Sequence, residues 1–212
     1  MKGHRFFAAL YDRLLAATEK AGMRDMRAEL IADARGRTLE LGAGTGLNLG
    51  HYRDSVSELV LTEPDPHMAK RLRARVEEAD RPFGVEVVEA GAEQLPFGDG
   101  SFDTVVSTLV FCTVPDADRA VKEVARVLRP DGRLLLLEHV RSEHPRTARW
   151  QDRLERPWGW VAAGCHPNRD TSATLSTRFD VSALEGDTFP GTVPPVVRPL
   201  VRGAVRPAAG GE

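Results

Sequence analysis

A glycine-rich turn directly after a short apolar stretch constrains this chain more than any other feature. The segment reads LELGAGTG over residues 39–46, and Gly42, Gly44 and Gly46 alternate with small residues. A turn of this kind between a strand and a helix brings the backbone close to a ligand at a helix N-terminus. The sequence therefore predicts a strand, a ligand-binding turn and a short helix at the start of the main domain.

Apolar strands and amphipathic helices alternate after this turn. The pattern predicts strands at 38–41, 59–62, 85–89, 102–107 and 133–140, and helices at about 66–78 and 116–128. Helices are also predicted at 5–35 and within 144–178, followed by an irregular strand pair with a proline-rich insert at 179–206. Alternation of this kind indicates an α/β fold whose mostly parallel sheet is doubly wound, with helices on both faces.

The composition narrows the functional classes. The chain has 212 residues, 28% of them charged, and a formal net charge of −2, so it has no general attraction for nucleic acid or anionic membranes. The two cysteines, Cys112 and Cys165, match no zinc-ligand spacing and no redox motif, so no metal site is predicted. Charged residues interrupt the N-terminal apolar residues, and we expect a cytoplasmic protein without a membrane anchor.

The spacing of the glycines and the acid beside them discriminate among ligands. A phosphate-binding loop needs a lysine that is absent here, and a dinucleotide turn needs a glycine where Leu47 stands. Glu40, two residues before the turn, would repel a pyrophosphate but favours a ligand with positive charge. S-adenosylmethionine, which carries an ammonium and a sulfonium, meets this condition.

Glu63 lies at the end of the second predicted strand. An acid at this place can accept hydrogen bonds from both ribose hydroxyls of a nucleoside. The alternative is an acid at a helix N-terminus, where acids are favoured. Taken together with the glycine turn, the ribose interpretation is preferred.

Four ordered blocks resemble the class I S-adenosylmethionine-dependent methyltransferases. They are LELGAGTG at 39–46, LTEPDPHM at 61–68, GAEQLPFGDGSFDTVVS at 91–107 and EVARVLRPDGRLLLLEHV at 123–140. The resemblance implies a seven-stranded Rossmann-like sheet with N-terminal helices, a helical cap and S-adenosyl-L-methionine as cofactor. It implies one domain over 1–212, with a cap at 1–36, a cofactor-binding core at 37–141 and acceptor-side elements at 142–206.

The same resemblance implies roles for individual residues. The ribose would bind Glu63, the methionine part would lie along the three glycines, and the adenine would lie beside Ala92 and Glu93. Further residues of the cofactor site would be Tyr11, which covers the cofactor, and Glu40, Asn48, Pro64, Met68 and Ser107. The third block begins with Gly91 where the family usually has an aspartate, so the bond to the adenine amine falls to Glu93 or to backbone.

Signatures of nucleic-acid methylation are missing. The segment STLVFCTVPD at 107–116 stands where enzymes that methylate base amines carry [DNS]PP[YFW], and neither cysteine follows a proline. The residues predicted on the acceptor side are apolar, among them Leu109, Val110, Phe111 and Val114. We therefore expect a small, fairly apolar acceptor, no nucleic-acid partner, and a monomer or weak homo-oligomer.

Three further segments are similar to the thiol S-methyltransferases, a branch that acts on alkyl thiols. They are TLVFCTV at 108–114, LLLEHV at 135–140 and RWQDRLERPWGWVAAGCHPNRDT at 149–171. This closer resemblance implies a thiol sulfur as the favoured acceptor, and a thiol with a pKa of about 8.5 needs only a modest base. The alternatives are methylation of oxygen, nitrogen or carbon, a cofactor-binding module without catalysis, and a nicotinamide-dependent dehydrogenase.

Acceptor-side candidates follow from this second resemblance. His139 and His166 are candidate bases or orienting groups, although a histidine bonded to backbone at a strand end and a structural cap residue are the respective alternatives. The candidates for substrate contact are Leu109, Phe111, Cys112, Trp158, Cys165 and Arg169. Cys112 also fits a core position, Trp158 and Trp160 fit helix-to-sheet packing, and Arg169 either holds an anion of the acceptor or pairs near Asp170.

Overall fold

The N-terminal part of the fold is helical. A computed structural model describes residues 15–162 and 164–208. A π-helical segment, Glu19–Met23, leads into helix α1, Arg24–Ile31, and Gly22 bends the chain between them with a φ of 133°. Met23 and Ile31 are buried, so this helix packs on the sheet with one apolar face.

Within the described residues, eight strands form one sheet. In chain order they are β1 Gly36–Leu41, β2 Val56–Thr62, β3 Gly84–Val88, β4 Phe102–Thr108, β5 Leu128–His139, β6 Phe179–Asp180, β7 Glu185–Thr188 and β8 Pro199–Pro207. The order across the sheet is β3-β2-β1-β4-β5-β8-β6, and β7 also pairs with β8. Strands β1 to β5 are parallel, and β8 is antiparallel to β5. The doubly wound, mostly parallel sheet predicted from the alternation is confirmed.

The C-terminal strand pair differs from the prediction in having a third member. β8 is long enough, at nine residues, to pair with β7 near its start and with the two-residue β6 at its end. The prolines of the insert lie between β7 and β8, where the short 3-10 helix Pro195–Val197 forms. In the described part of the chain the sheet therefore has eight strands, one more than the seven that the resemblance implies.

Helices cover both faces of the sheet, as a parallel sheet requires. They are α2 Pro66–Glu78, α3 Ala117–Val127, α4 Pro145–Val161 and α5 Thr171–Ser176. Asp65 and Asp116 cap α2 and α3 by accepting backbone N–H groups of the first turn. The helix expected directly after the glycine turn is only the 3-10 turn Leu49–His51. No described helix has the length and apolar character needed to cross a membrane.

The strand order indicates where a ligand would bind, at the carboxyl ends of the parallel strands. The four leucines at 134–137 are fully buried on the two faces of β5. β1 lies between β2 and β4, so the strand order reverses there and the connections leave to opposite faces. In sheets of this kind, ligands bind outside the carboxyl ends of the strands at this reversal.

Candidate cofactor and acceptor site

The glycine turn lies at the carboxyl end of β1 and has the backbone that only glycine adopts readily. Gly42, Gly44 and Gly46 have φ values of 51°, 59° and 85°. A Cβ at Gly42 would lie 3.0 Å from a methyl of Val110, and a Cβ at Gly46 would lie 2.8 Å from a methyl of Leu72. The turn is therefore fixed both by its left-handed backbone and by close packing against its neighbours.

Glu40 is buried beside this turn, with only 2% of its surface exposed. Its Oε1 accepts a hydrogen bond from the Asn48 amide at 2.9 Å, and its Oε2 accepts one from the Tyr52 hydroxyl at 2.6 Å. Burial raises the pKa of Glu40 to about 7, although the bonds from Tyr52 and Asn48 and the charge of Arg27 act in the opposite direction. The carboxyl is consequently only partly ionised near neutral pH.

Arg27 of α1 reaches into the same place, a role that the sequence did not reveal to us. Its Nη1 donates to Asn48 Oδ1 at 3.1 Å and to Thr108 Oγ1 at 2.9 Å, and its Nε contacts Glu19. The sequence held a signal, because Arg27 lies four residues from both Met23 and Ile31, on the buried stripe of the helix.

A small cavity separates Arg27 from Glu40. It is lined by Arg27, Glu40, Gly42, Ala43, Gly44, Leu47, Asn48 and Thr108. Arg27 donates to the oxygen of the Asn48 side-chain amide, and Glu40 accepts from its nitrogen. A buried cation and a buried carboxyl placed in this way suit a ligand that carries both charges. The amino-acid end of S-adenosylmethionine is such a zwitterion, so this donor set fits the cofactor implied by the sequence.

Glu63 joins the end of β2 to the glycine turn. Its Oε2 accepts the Gly44 N–H at 2.8 Å and its Oε1 accepts the Asp65 N–H at 2.9 Å. Burial raises the pKa of the Glu63 carboxyl. Capping of α2 belongs to Asp65, whose Oδ1 accepts two N–H groups of the first turn. Each carboxylate oxygen of Glu63 has a second lone pair, so both can also accept a ribose hydroxyl.

The other predicted cofactor residues are spread along the same edge. Met68 and Ala92 are buried and Pro64 is exposed. Glu93 folds toward Gly91, where a Cβ would lie only 2.9 Å from the Glu93 Oε2. Glycine at position 91 therefore leaves room for the Glu93 carboxylate. Tyr11, which was also predicted to contact the cofactor, lies outside the described residues.

Ser107, another predicted cofactor residue, donates its hydroxyl to a buried acid at the end of β5. This acid is Glu138, whose Oε1 accepts the Ser107 hydroxyl at 2.7 Å and the Val110 N–H at 2.9 Å. Its Oε2 has no hydrogen-bond partner within the part of the chain that is described. Burial raises the pKa of Glu138 to about 7. The sequence signal for this residue is an acid directly after the apolar run at 134–137.

Three predicted acceptor-side residues come together in one buried cluster, which we term the thiol–imidazole cluster: Cys112, His139 and Cys165. Their sulfur and nitrogen atoms lie within 4.8 Å of one another, and both cysteines are free thiols. His139 Nδ1 is 3.5 Å from Cys165 Sγ, and its Nε2 is 3.3 Å from the Val196 carbonyl oxygen. The cluster thus joins the loop after β4, the end of β5 and the loop after α4.

The two thiols of this cluster differ in acidity. The bond from the Cys112 thiol, together with His139 and Trp158, lowers the pKa of Cys165 to about 5 despite its burial. The bond to Cys165, burial and the nearby charge of Glu138 raise the pKa of Cys112 well above its ordinary value. Cys165 is therefore the sulfur that more readily carries negative charge.

The remaining acceptor-side candidates surround the cluster without entering it. The His166 ring is half-exposed and pairs with Glu155 at 2.9 Å, although the His166 backbone N–H donates to the Cys112 carbonyl. Arg169 Nη1 donates to the Phe111 and Val114 carbonyl oxygens, both at 2.6 Å. These bonds attach the segment after α4 to the loop after β4.

The apolar candidates differ in burial. Phe111 is fully buried, and Leu109 and Trp158 are partly buried. Leu109 has a φ of 60°, which is rare for a residue with a branched side chain. Trp160 is 89% exposed, so it neither lines a pocket nor packs between helix and sheet, and both interpretations now apply to the partly buried Trp158.

Comparisons with known proteins agree with this geometry. A family model described as a methyltransferase domain matches residues 39–136. Among curated proteins, human thiol S-methyltransferase TMT1B is 35% identical, with 70% of this chain and 65% of that protein covered. Human thiol S-methyltransferase TMT1A is 31% identical, with 80% and 70% covered. Phosphatidylethanolamine N-methyltransferase from Cereibacter sphaeroides is 34% identical, with 72% and 75% covered.

Solved structures share the fold. The YcgJ protein from Bacillus subtilis has a TM-score of 0.61 and 25% identity, with 76% of this chain and 72% of that one covered. A SAM-dependent methyltransferase from Thermotoga maritima, described as a possible histamine N-methyltransferase, has a TM-score of 0.64 and 22% identity over 96% of both chains. This chain spans just under two thirds of the length of human TMT1B.

Proposed function

We propose that this chain, which belongs to the S-adenosylmethionine-dependent methyltransferases, methylates the sulfur of a small, fairly apolar thiol. The observation that carries the proposal is the extent of similarity to thiol S-methyltransferases. It covers 70% to 80% of this chain, well beyond the matched methyltransferase domain at 39–136. A phosphatidylethanolamine N-methyltransferase matches 72% of this chain as well, so the length of the match supports a shared acceptor-side architecture, and the preference for sulfur rests on the chemistry of the acceptor given below.

Three charged residues each bind a different group of the cofactor. In this proposal Glu40 receives the ammonium group, Arg27 receives the carboxylate and Glu63 receives the ribose hydroxyls. The glycine turn permits close approach of the ligand to the backbone. When bound, S-adenosylmethionine supplies a methyl group activated by a positively charged sulfur. The residues of this chain then need to align an acceptor and exclude water.

The acidity of the acceptor favours sulfur over oxygen. A thiol has a pKa of about 8.5 and a phenol one of about 10, so ionising the thiol at neutral pH costs about 2 kcal/mol less. The described acceptor side is mainly apolar, with Phe111 and Val114 buried. Such a surface suits a soft, weakly hydrated nucleophile. His139 and His166 remain predicted to orient the acceptor or to assist its ionisation.

A matched set of acceptors tests the proposal. Benzenethiol, phenol and aniline share one ring and differ only in the nucleophilic atom, and each would be incubated with S-adenosylmethionine and the purified chain. We expect S-adenosylhomocysteine and the methyl sulfide with the thiol, measured by mass spectrometry. Turnover confined to phenol or aniline would refute the sulfur assignment and leave the methyltransferase activity.

Two variants separate the cofactor site from the acceptor. Glu63→Gln is expected to raise the KM for S-adenosylmethionine at least tenfold, because one carboxylate oxygen is lost as an acceptor for ribose. Glu77→Gln, an exposed acid on α2, is the matched control and should leave KM unchanged. Equal KM values in the two variants would contradict the ribose role.

A second candidate is methylation of an amine. The similarity to a phosphatidylethanolamine N-methyltransferase, at 34% identity over 72% of this chain, favours it over methylation of carbon or oxygen. Aniline and an alkyl amine in the same panel distinguish this candidate from the thiol.

A further inference from the structure

We propose that the thiol–imidazole cluster binds a zinc ion through Cys112 Sγ, His139 Nδ1 and Cys165 Sγ. The three residues come from separate parts of the chain, and all three are at least nine-tenths buried. Two thiolates and an imidazole form a soft ligand set of the kind that holds Zn²⁺. Their charges also cancel, because two thiolates neutralise the two positive charges of the ion.

The distances in the cluster suit this ion. Zinc bonds of about 2.3 Å to sulfur and about 2.1 Å to nitrogen in a tetrahedron place the two ligand atoms about 3.6 Å apart. The Cys165 Sγ and His139 Nδ1 atoms are 3.5 Å apart. Two sulfurs on the same ion would be about 3.8 Å apart, and the whole ligand set already lies within 4.8 Å. A shift of at most about 1 Å therefore completes the coordination.

The second nitrogen of His139 is oriented as in a metal ligand. Its Nε2 lies 3.3 Å from the Val196 carbonyl oxygen, which is an acceptor only, so a hydrogen bond between them requires the hydrogen on Nε2. The Gln151 side chain donates to the same carbonyl at 2.9 Å and to the Val140 carbonyl at 3.1 Å. This arrangement favours the tautomer that leaves the Nδ1 lone pair free on the side of the Cys165 sulfur. Zinc-bound histidines commonly have this kind of support from a backbone carbonyl.

Three protein ligands leave one tetrahedral position open, which is typical of catalytic rather than structural zinc. We assign this position to the acceptor thiol, an assignment that rests on the proposed function. On binding, the sulfur–hydrogen bond of the acceptor breaks, the sulfur keeps the electron pair and bonds to zinc, and the proton leaves to solvent. A metal ion deprotonates a coordinating thiol outright. His139 would then act as a metal ligand and not as a base.

The expected gain in rate follows from ionisation. A thiol with a pKa of about 8.5 is only about 3% ionised at pH 7, so full ionisation on the metal raises the reactive fraction about 30-fold. Removal of zinc by a chelator is expected to reduce turnover of an alkyl thiol with a pKa of about 8.5 at pH 7 by about this factor, and restored zinc should return it. Benzenethiol, which is more acidic and already largely ionised at pH 7, should lose much less.

Cobalt binding tests the site without any need for turnover. The reduced, chelator-treated protein would be titrated with Co²⁺ alone, and its absorption spectrum recorded. We expect one ion per chain with a sulfur-to-cobalt charge-transfer band, displaced by Zn²⁺. Cys112→Ser and Cys165→Ser should each weaken the band, whereas His144→Asn, a change at an exposed histidine, should not. Absence of stoichiometric binding to the folded wild-type chain would overturn the proposal.

Thiol protection provides a measurement on the unmodified chain, in case a variant fails to fold. Bound zinc should shield both cysteines from a thiol reagent and from mild oxidation. Both thiols are buried, so their rates are compared under conditions in which the metal-free chain reacts. An equal rate in the zinc-loaded protein, or ready formation of a disulfide between its two cysteines, would overturn the zinc site.

Addition of benzenethiol to the cobalt-loaded protein tests the fourth position. A stronger charge-transfer band supports direct coordination of the acceptor. An unchanged spectrum with methyl sulfide formation would overturn the fourth-position assignment while the thiol function stands. A stronger band without methyl transfer would count against the proposed function while supporting the metal site.

Discussion

We expect Glu40 to make cofactor binding dependent on pH, in a direction that follows from the burial of its carboxyl. The carboxyl is buried, and burial raises its pKa to about 7. We propose that its ionised form receives the cofactor ammonium, so the protonated fraction of the free protein is not competent to bind. The affinity for a ligand with this ammonium should therefore increase as the pH rises from 6 to 8.

The size of the effect follows from one titration. When only the ionised form binds, the apparent Kd is multiplied by 1 + 10^(pKa − pH), which is about 11 at pH 6 and about 1.1 at pH 8. The ligand should bind about tenfold more tightly at pH 8, a difference of about 1.4 kcal/mol. Affinity increases with pH because the pKa of the Glu40 carboxyl is raised to about 7, so the group becomes mainly ionised only above that pH.

Calorimetric titration with S-adenosylhomocysteine, which has the same ammonium and carboxylate, measures this dependence. Glu40→Gln keeps the shape and one acceptor oxygen but removes the titrating charge. We expect the variant to lose the tenfold dependence and to bind more weakly than wild type at pH 8. Glu77→Gln should retain the wild-type profile. Equal pH dependence in wild type and Glu40→Gln would refute the role of Glu40, because ionisation of the ligand or of another residue would then be responsible.

Three further changes test other parts of the reasoning. Arg27→Met should weaken binding of S-adenosylhomocysteine about tenfold or more in calorimetry, since a charged hydrogen-bond donor is lost. Arg24→Met, at an exposed position of the same helix, should not weaken it, and equal affinities of the two variants would contradict the role of Arg27. Gly46→Ala should lower the free energy of urea unfolding by about 1–3 kcal/mol, because Gly46 has a φ of 85° and an added Cβ would lie 2.8 Å from a leucine methyl. Gly84→Ala, where a Cβ meets open space, is the control, and equal losses in the two variants would contradict the strain at Gly46. Asp116→Ala should cost about 1 kcal/mol in the same measurement through loss of the helix cap, and no loss would show that the cap is dispensable.

The sequence alone predicts that the residues of the candidate cofactor site meet, because their signals are local. The glycine turn follows β1 directly, and Glu63 follows β2 directly, so each strand end carries its own marker. The carboxyl ends of neighbouring parallel strands meet at one edge of the sheet, and this alone brings Glu63 to within 2.8 Å of the Gly44 N–H. The fold class was equally accessible, because the alternation of strand and helix extends over most of the chain.

The acceptor half depends on contacts between distant segments, which no local pattern reveals. The two cysteines are 53 positions apart in the chain, and their spacing matches no known motif. Only the packing of the loop after α4 on the end of β5 brings Cys165 within 3.5 Å of His139. The extra strand escaped prediction for a related reason, since β6 has two residues and exists only by pairing with β8.

Glu138 connects the two halves, and its burial argues for a role beyond packing. A buried carboxyl oxygen without a partner costs about 1–3 kcal/mol, and Glu138 Oε2 has none in the described parts of the chain. The other oxygen fixes the Val110 N–H, at the start of the loop that carries Cys112. Since Val110 also packs against Gly42, a shift of this loop would affect the glycine turn and the thiol–imidazole cluster together. We infer that Glu138 holds the loop after β4 in place beside the glycine turn, an alignment that in-line transfer between an acceptor and the cofactor would require.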